Sequence, residues 1–118
     1  MTELEINQLL HERVMGECWH EYLHGICIKC GRWSNHGGMI SANWNPSYTS
    51  SWADYGRLLE VAMTKEWWIA FTASSFHSYL QDNPGMDGVD IAFWFEAVLL
   101  NPLLGSTAMA EFVKARGI

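Results

Sequence analysis

Apolar positions recur at helical spacing in the opening residues. Ile6, Leu9, Leu10 and Val14 line one face, and Thr2 with Glu5 three residues later forms a capping box. Residues 3–15 therefore read as an amphipathic helix that Gly16 ends. The period then disappears. Residues 17–50 carry Gly25, Gly31, Gly37, Gly38 and Pro46 among polar side chains, a pattern of irregular structure with at most a short hairpin. Periodicity returns at Ser51, which makes a second capping box with Asp54. Trp52, Tyr55, Leu59, Ala62 and Met63 then share a face and predict a helix over 52–63.

The next stretch is ambiguous by period alone. Ile69, Ala73, Phe76 and Leu80 lie at helix spacing, whereas WWIAFT has the β-branched and aromatic content of a buried strand. Helix is the preferred reading for 64–80. DNPGMDG at 82–88 is a turn. VDIAFWFEAVLL follows, apolar nearly all round, and predicts a central helix. Asn101 as cap and Pro102 at the first helical position open a last helix through Ala110, Phe112 and Val113, closed by Gly117. The expected fold class is mainly α, or α+β. It is a single domain over 1–118 with helix 3–15, a block 17–50 of irregular or β-hairpin structure, and a helical C-terminal part 51–117.

Composition narrows the class. The chain has 118 residues, 49% hydrophobic and 17% charged, which suits one folded domain rather than a disordered chain. No run approaches the roughly 18 uninterrupted apolar residues that a membrane span needs. The acidic opening residues, with no small-residue cleavage site, make a poor secretory signal, so the expected location is the cytosol. A net charge of -6 argues against binding to a phosphate backbone. It favours a partner protein with a basic surface, because opposite potentials steer association. Self-association stays open.

The chemistry is concentrated in CWHEYLHGICIKCG, Cys18 to Gly31, which holds all three cysteines and two of the five histidines. Cys27-x-x-Cys30-Gly31 places two sulfurs at a separation that suits tetrahedral zinc, and the glycine permits the tight turn such knuckles use. Cys18 and His20, two apart in an extended segment, point to one face and complete a Cys3His set. A structural zinc would also order a glycine-rich block, since metal binding supplies roughly 10 kcal/mol of folding free energy. Three other readings compete. A redox CxxC normally opens a helix beside a βαβ pattern, which is missing here. Three unrelated buried thiols are the bland alternative. A catalytic zinc would draw on Glu17, Glu21, His24 or His36 for proton transfer, but four ligands of which three are thiolates favour a closed site.

Seven tryptophans are many for this length. Trp52, Trp67, Trp68 and Trp94 fall on apolar helical faces and read as packing. Trp33, Trp44 and Tyr48 lie instead in the polar loop GRWSNHGGMISANWNPSYTSSW, with Asn35 and Asn45 nearby. There Arg32, Trp33, His36, Asn43, Trp44 and Tyr48 form a candidate surface for a partner protein or a small nucleotide-like ligand. The competing reading is that these rings only cover the zinc knuckle and the following helix. No Walker loop, GxGxxG, HExxH, GxSxG or paired-carboxylate pattern is present, so no enzyme is expected. A zinc-dependent hydrolase of a small nucleotide-like substrate and a purely structural interaction module are the alternatives.

CWHEY and CIKCG followed by NPSYTSSW resemble the pattern of a group of small phage and prophage proteins. These carry CWHE, then CxxCG, then an NP segment and a tryptophan before a helix. The resemblance covers residues 9–60, and LLNPLLGSTAMAEFVKARG matches their NP-led final helix loosely. It implies shared zinc ligation by Cys18, His20, Cys27 and Cys30, and a host-cell cytosolic location. The group has no established activity. What it implies by association is an accessory factor that works by stoichiometric binding, for example as an inhibitor of a host antiviral defence.

Overall fold

The computed structural model describes residues 1–24, 26–32, 45–84 and 90–118, and for Asp90 the backbone alone. Helix α1 (Glu3–Arg13) starts at the predicted cap: Thr2 Oγ1 accepts from the Glu5 N–H at 3.2 Å. Beyond it the chain turns at Gly16, whose φ of +68° is costly for any residue with a Cβ. Two short antiparallel strands follow, β1 (Tyr22–Leu23) and β2 (Ile26–Cys27), with Tyr22 opposite Cys27 and Leu23 opposite Ile26.

Helix α2 (Trp52–Ala62) is capped by Ser51, which accepts from the Asp54 N–H at 3.2 Å. The reciprocal half of the expected box is redirected. Asp54 Oδ2 accepts from the Ser47 N–H at 2.9 Å, while the Ser51 N–H donates to the Ser47 carbonyl. The carboxylate thus fastens the approach to the helix rather than its cap. Helix α3 (Trp68–Asp82) settles the helix-or-strand ambiguity in favour of helix. Then come α4 (Asp90–Trp94), a π-helical turn (Phe95–Leu99) and α5 (Pro102–Arg116). Asn101 Oδ1 caps α5 by accepting from the Leu104 N–H at 3.1 Å, and Gly117 closes it with φ +65°. The fold is mainly α with a small hairpin near the N-terminus, as the pattern predicts. The turn expected at 82–88 lies largely outside the described residues.

Helix α5 is the hub, packed against α1, α2, α3 and the π turn. Its Met109, Ala110, Phe112 and Val113 meet Ile6, Leu10 and Val14 of α1, Tyr55, Leu58 and Ala62 of α2, and Phe71 of α3 in one core. Phe71 and Phe112 meet edge to face at 5.6 Å, with Trp67 and Trp68 against the same pair.

The buried faces differ from the predicted ones in three places. On α2 the buried line is Tyr55, Leu58 and Ala62, leaving Trp52 63% exposed. On α3 the core takes Phe71, and Ile69 is 78% exposed. The apolar segment after residue 88 is not central. Trp94 and Leu99 are buried, while Ile91, Phe93, Phe95 and Leu100 face outward. A π turn, here with the Leu100 N–H on the Phe95 carbonyl at 2.8 Å, winds wider than an α-helix. It rotates the face presented to the core, so a run that is apolar all round buries only two large side chains. Among the described residues no single helix is long and apolar enough to cross a membrane.

Candidate metal centre

The hairpin assembles the cluster. Pairing puts Cys27 at the end of β2, and the chain folds back at once: the Gly31 N–H donates to the Cys27 carbonyl at 2.9 Å, with Gly31 at φ +76°. The Cys27 N–H donates to the Arg32 carbonyl and the Ile28 N–H to the Glu21 carbonyl, both at 2.9 Å. This knuckle swings Cys30 beside Cys27. On the other side of the hairpin, Cys18 and His20 approach in alternation along the extended segment before β1.

Cys18, His20, Cys27 and Cys30 present one ligand atom each, all within 4.8 Å of one another. The cysteines are free thiols, with Cys18 Sγ and Cys27 Sγ at 3.8 Å. Cys30 Sγ and His20 Nδ1 are 3.5 Å apart. With metal–sulfur bonds of about 2.3 Å and metal–nitrogen bonds of about 2.0 Å, a tetrahedron has S···S edges near ~3.8 Å and S···N edges near ~3.5 Å. These two separations match such edges and all four donors lie within 4.8 Å of one another, so the four residues can hold a metal ion. Three sulfurs and an imidazole are a soft donor set that suits zinc-like ions rather than magnesium or calcium.

Electrostatics divide the thiols. Burial works to raise the Cys27 pKa, but hydrogen bonds from the Cys30, Glu21 and Lys29 backbone and from His20 overcome it and bring the thiol down to about 5. Cys18, by contrast, is pushed up to about 12 by burial and by the two neighbouring sulfurs. The cluster therefore favours the thiolate at Cys27 and the protonated thiol at Cys18. The CxxC lies on a hairpin and not at a helix N-terminus, which removes the geometry of a redox pair.

The residues around the cluster hold it in place. Asn45 Oδ1 accepts from the His20 N–H at 2.9 Å and Asn45 Nδ2 donates to the His20 carbonyl at 2.8 Å. Tyr22 stacks on the His20 ring at 5.3 Å. Lys29 Nζ and Glu21 Oε1 make an ion pair at 3.1 Å, which engages one of the carboxylates open to the competing catalytic-zinc reading. His24 is exposed on the hairpin turn at φ +53°, and neither it nor Glu17 belongs to the ligand group.

Of the expected binding surface, Arg32 is exposed at the edge of the knuckle. Trp33, His36, Asn43 and Trp44 lie outside the described residues. Tyr48 is corrected outright: it is fully buried, so it presents no surface to a ligand. Its hydroxyl shares a 2.7 Å hydrogen bond with His11 Nδ1, its N–H donates to Asn7 Oδ1 at 2.8 Å, and its carbonyl accepts from Ser106 Oγ at 2.8 Å. These bonds clamp the segment after the loop between α1 and α5. Asn7 and His11, polar residues on the buried face of α1, went unnoticed in the sequence; their i, i+4 spacing among Ile6, Leu10 and Val14 was the available signal. His11 also lines a polar cleft of about 350 Å³ with Glu17, His20, Asn45, Asp54 and Arg57, next to the cluster.

Comparison with known proteins finds no matching family model, no matching curated protein and no matching solved structure.

Proposed function

We propose that the protein is a small zinc-binding accessory protein that acts by stoichiometric binding and not by catalysis. The observation that supports this reading is the ligand set: four donors within 4.8 Å of one another are enough to fill a tetrahedral site. The metal's task is then to hold the knuckle, whose described margins are Arg32, whose carbonyl holds the Cys27 N–H, and Asn45, which holds His20. Trp33, His36, Asn43 and Trp44 fall between these two residues in the sequence. Trp and Arg dominate binding hot spots, which supports a binding role for this part of the chain. The net charge of -6 supports a partner protein with a basic surface over a nucleotide signal. The resemblance to phage and prophage proteins supports a role in the host cytosol, as an inhibitor of a host defence.

The polar cleft supports a second reading, a zinc-dependent hydrolase. There His20 shares a wall with Glu17, Asp54 and Arg57, groups able to shuttle a proton or hold an anion. Cobalt substitution separates the two. A closed Cys3His site takes one cobalt per chain with thiolate charge-transfer bands that do not move on adding azide or a hydroxamate. A spectrum that shifts on their addition reveals an open coordination position and overturns the structural reading.

A further inference from the structure

Many of the outward apolar residues lie in the part of the chain that carries most of its negative charge. A cleft of about 480 Å³ opens between α2, α3 and the α4–π segment, lined by Met63, Trp68, Trp94, Phe95, Leu99 and Leu100 among others. Met63 is 55% exposed, Phe95 44% and Leu100 41%, although each is large and apolar. Contiguous apolar surface of this kind on a folded domain marks an interaction site more often than chance exposure.

Charge selects the occupant. By sequence, residues 58–101 carry six carboxylates, Glu60, Glu66, Asp82, Asp87, Asp90 and Glu96, against Lys65 alone. That segment supplies -5 of the net -6. Glu60 and Glu96 are exposed. Glu60 stands three residues before Met63 on α2, and Glu96 four before Leu100, so each carboxylate neighbours a lining side chain across one turn. An apolar floor with carboxylates at its margin complements a ligand that is apolar on one face and cationic on its flanks.

We infer that this cleft docks a cationic amphipathic helix of a partner protein. The inference rests on the reading of the chain as a binding protein and assigns it a surface separate from the metal centre. A groove between helices takes an amphipathic helix through apolar anchors at i, i+3 or i+4 and i+7. A second copy of the chain fits worse, because a symmetric contact would bring the Glu60 and Glu96 carboxylates of both copies together. An anionic lipid surface or a nucleic acid is repelled for the same reason.

The test titrates the zinc-loaded full chain into a labelled synthetic peptide of leucine and lysine with its leucines at helical spacing, read by fluorescence anisotropy. The controls are a scrambled peptide of the same composition and a leucine–glutamate version. The amphipathic cationic peptide should bind one to one, at least about tenfold more tightly than either control. Phe95→Ser and Leu100→Ser should each weaken it by about tenfold, and so should Glu60→Lys with Glu96→Lys, which carries the test if an apolar variant fails to fold. Equal binding of the scrambled peptide overturns the proposal. So does preferential binding to phosphatidylcholine or phosphatidylserine vesicles, or a dimer in sedimentation that Phe95→Ser dissolves. Loss of peptide binding with the cobalt spectrum intact refutes this surface alone, whereas an open cobalt site refutes the structural-zinc reading and leaves the cleft standing.

Discussion

Asn45 brackets the peptide unit of His20, accepting from its N–H at 2.9 Å and donating to its carbonyl at 2.8 Å. A side-chain amide here replaces a neighbouring strand, because the segment before β1 has no backbone partner on that side among the described residues. The bracket fixes where the His20 ring stands, and partners that orient a metal ligand without touching the metal typically contribute 10–100-fold in affinity. Asn45→Ala should therefore weaken zinc binding by about tenfold while leaving the four ligands in place. Competition with a chromophoric chelator reads the change. Unaltered affinity would show that the hairpin alone positions His20.

The split between the thiols has a measurable consequence in protons. Metal ligation requires thiolates, and the binding reaction releases whatever protons those sulfurs still hold. The opposite directions of the two shifts favour early loss of the proton at Cys27 and late loss at Cys18. Each unit of rising pH below the Cys18 value thus eases ligation by up to about tenfold through this thiol, whereas Cys27 adds to the dependence only below its own value. Calorimetry in buffers of different ionisation enthalpy should find that Cys18→Ser releases about one proton fewer per zinc than the parent chain. Cys27→Ser should leave the proton count unchanged and lower the affinity. The reverse assignment would disprove the split.

What the sequence revealed and concealed follows from the range of each interaction. The caps at Thr2, Ser51 and Asn101 were legible because a side chain answers an N–H three residues away. The ligand set was legible for a similar reason, since CxxCG and CxH are short patterns. The burial of Tyr48 was not. Its partners Asn7, His11 and Ser106 lie 41, 37 and 58 residues away, and a tyrosine in a polar loop carries no local sign of them. Likewise helical periodicity on α3 was satisfied by Ile69 as well as by Phe71. Only the Phe112 ring of α5 opposite decides between the two faces. The exposure of Ile91 and Phe93 depends on a π turn, which has no hydrophobic period of its own.

Tyr48 and His11 make acid stability testable. Burial lowers the His11 pKa, with Glu17 and the Cys18 backbone pulling part of the way back. A histidine with a lowered folded value is protonated first in the unfolded chain, so stability is full above about pH 6.5 and declines as pH falls below it. Urea unfolding at pH 7.5 and 5.5 should show a steeper loss in the parent than in His11→Gln, which has no proton to take up. Tyr48→Phe should cost about 1 kcal/mol at pH 7.5, the net value of a hydrogen bond. Parallel pH curves for the parent and His11→Gln would exclude this histidine as the source.

The most demanding packing test is at Gly105, where a built Cβ would stand 1.9 Å from the Tyr55 hydroxyl oxygen and 2.8 Å from the ring carbon that bears it. Tyr55 is buried with its ring end against α5, and its hydroxyl donates to the Leu99 carbonyl at 2.5 Å. That carbonyl belongs to the π turn, so one glycine admits the side chain that ties α2 to the turn before α5. Gly105→Ala must displace the ring, and overpacking a filled core costs about 1–3 kcal/mol. Tyr55→Phe removes the donor and leaves a buried carbonyl unpaired, at about 1–3 kcal/mol. The two losses share one cause, because the alanine methyl collides first with the oxygen that phenylalanine lacks. The double variant should therefore be more stable than the sum of the single losses implies, by about 0.5–3 kcal/mol in a double-mutant cycle. Thermal or urea unfolding of the four proteins measures it. Strict additivity would mean that the Tyr55 hydroxyl does not occupy the space that Gly105 leaves open.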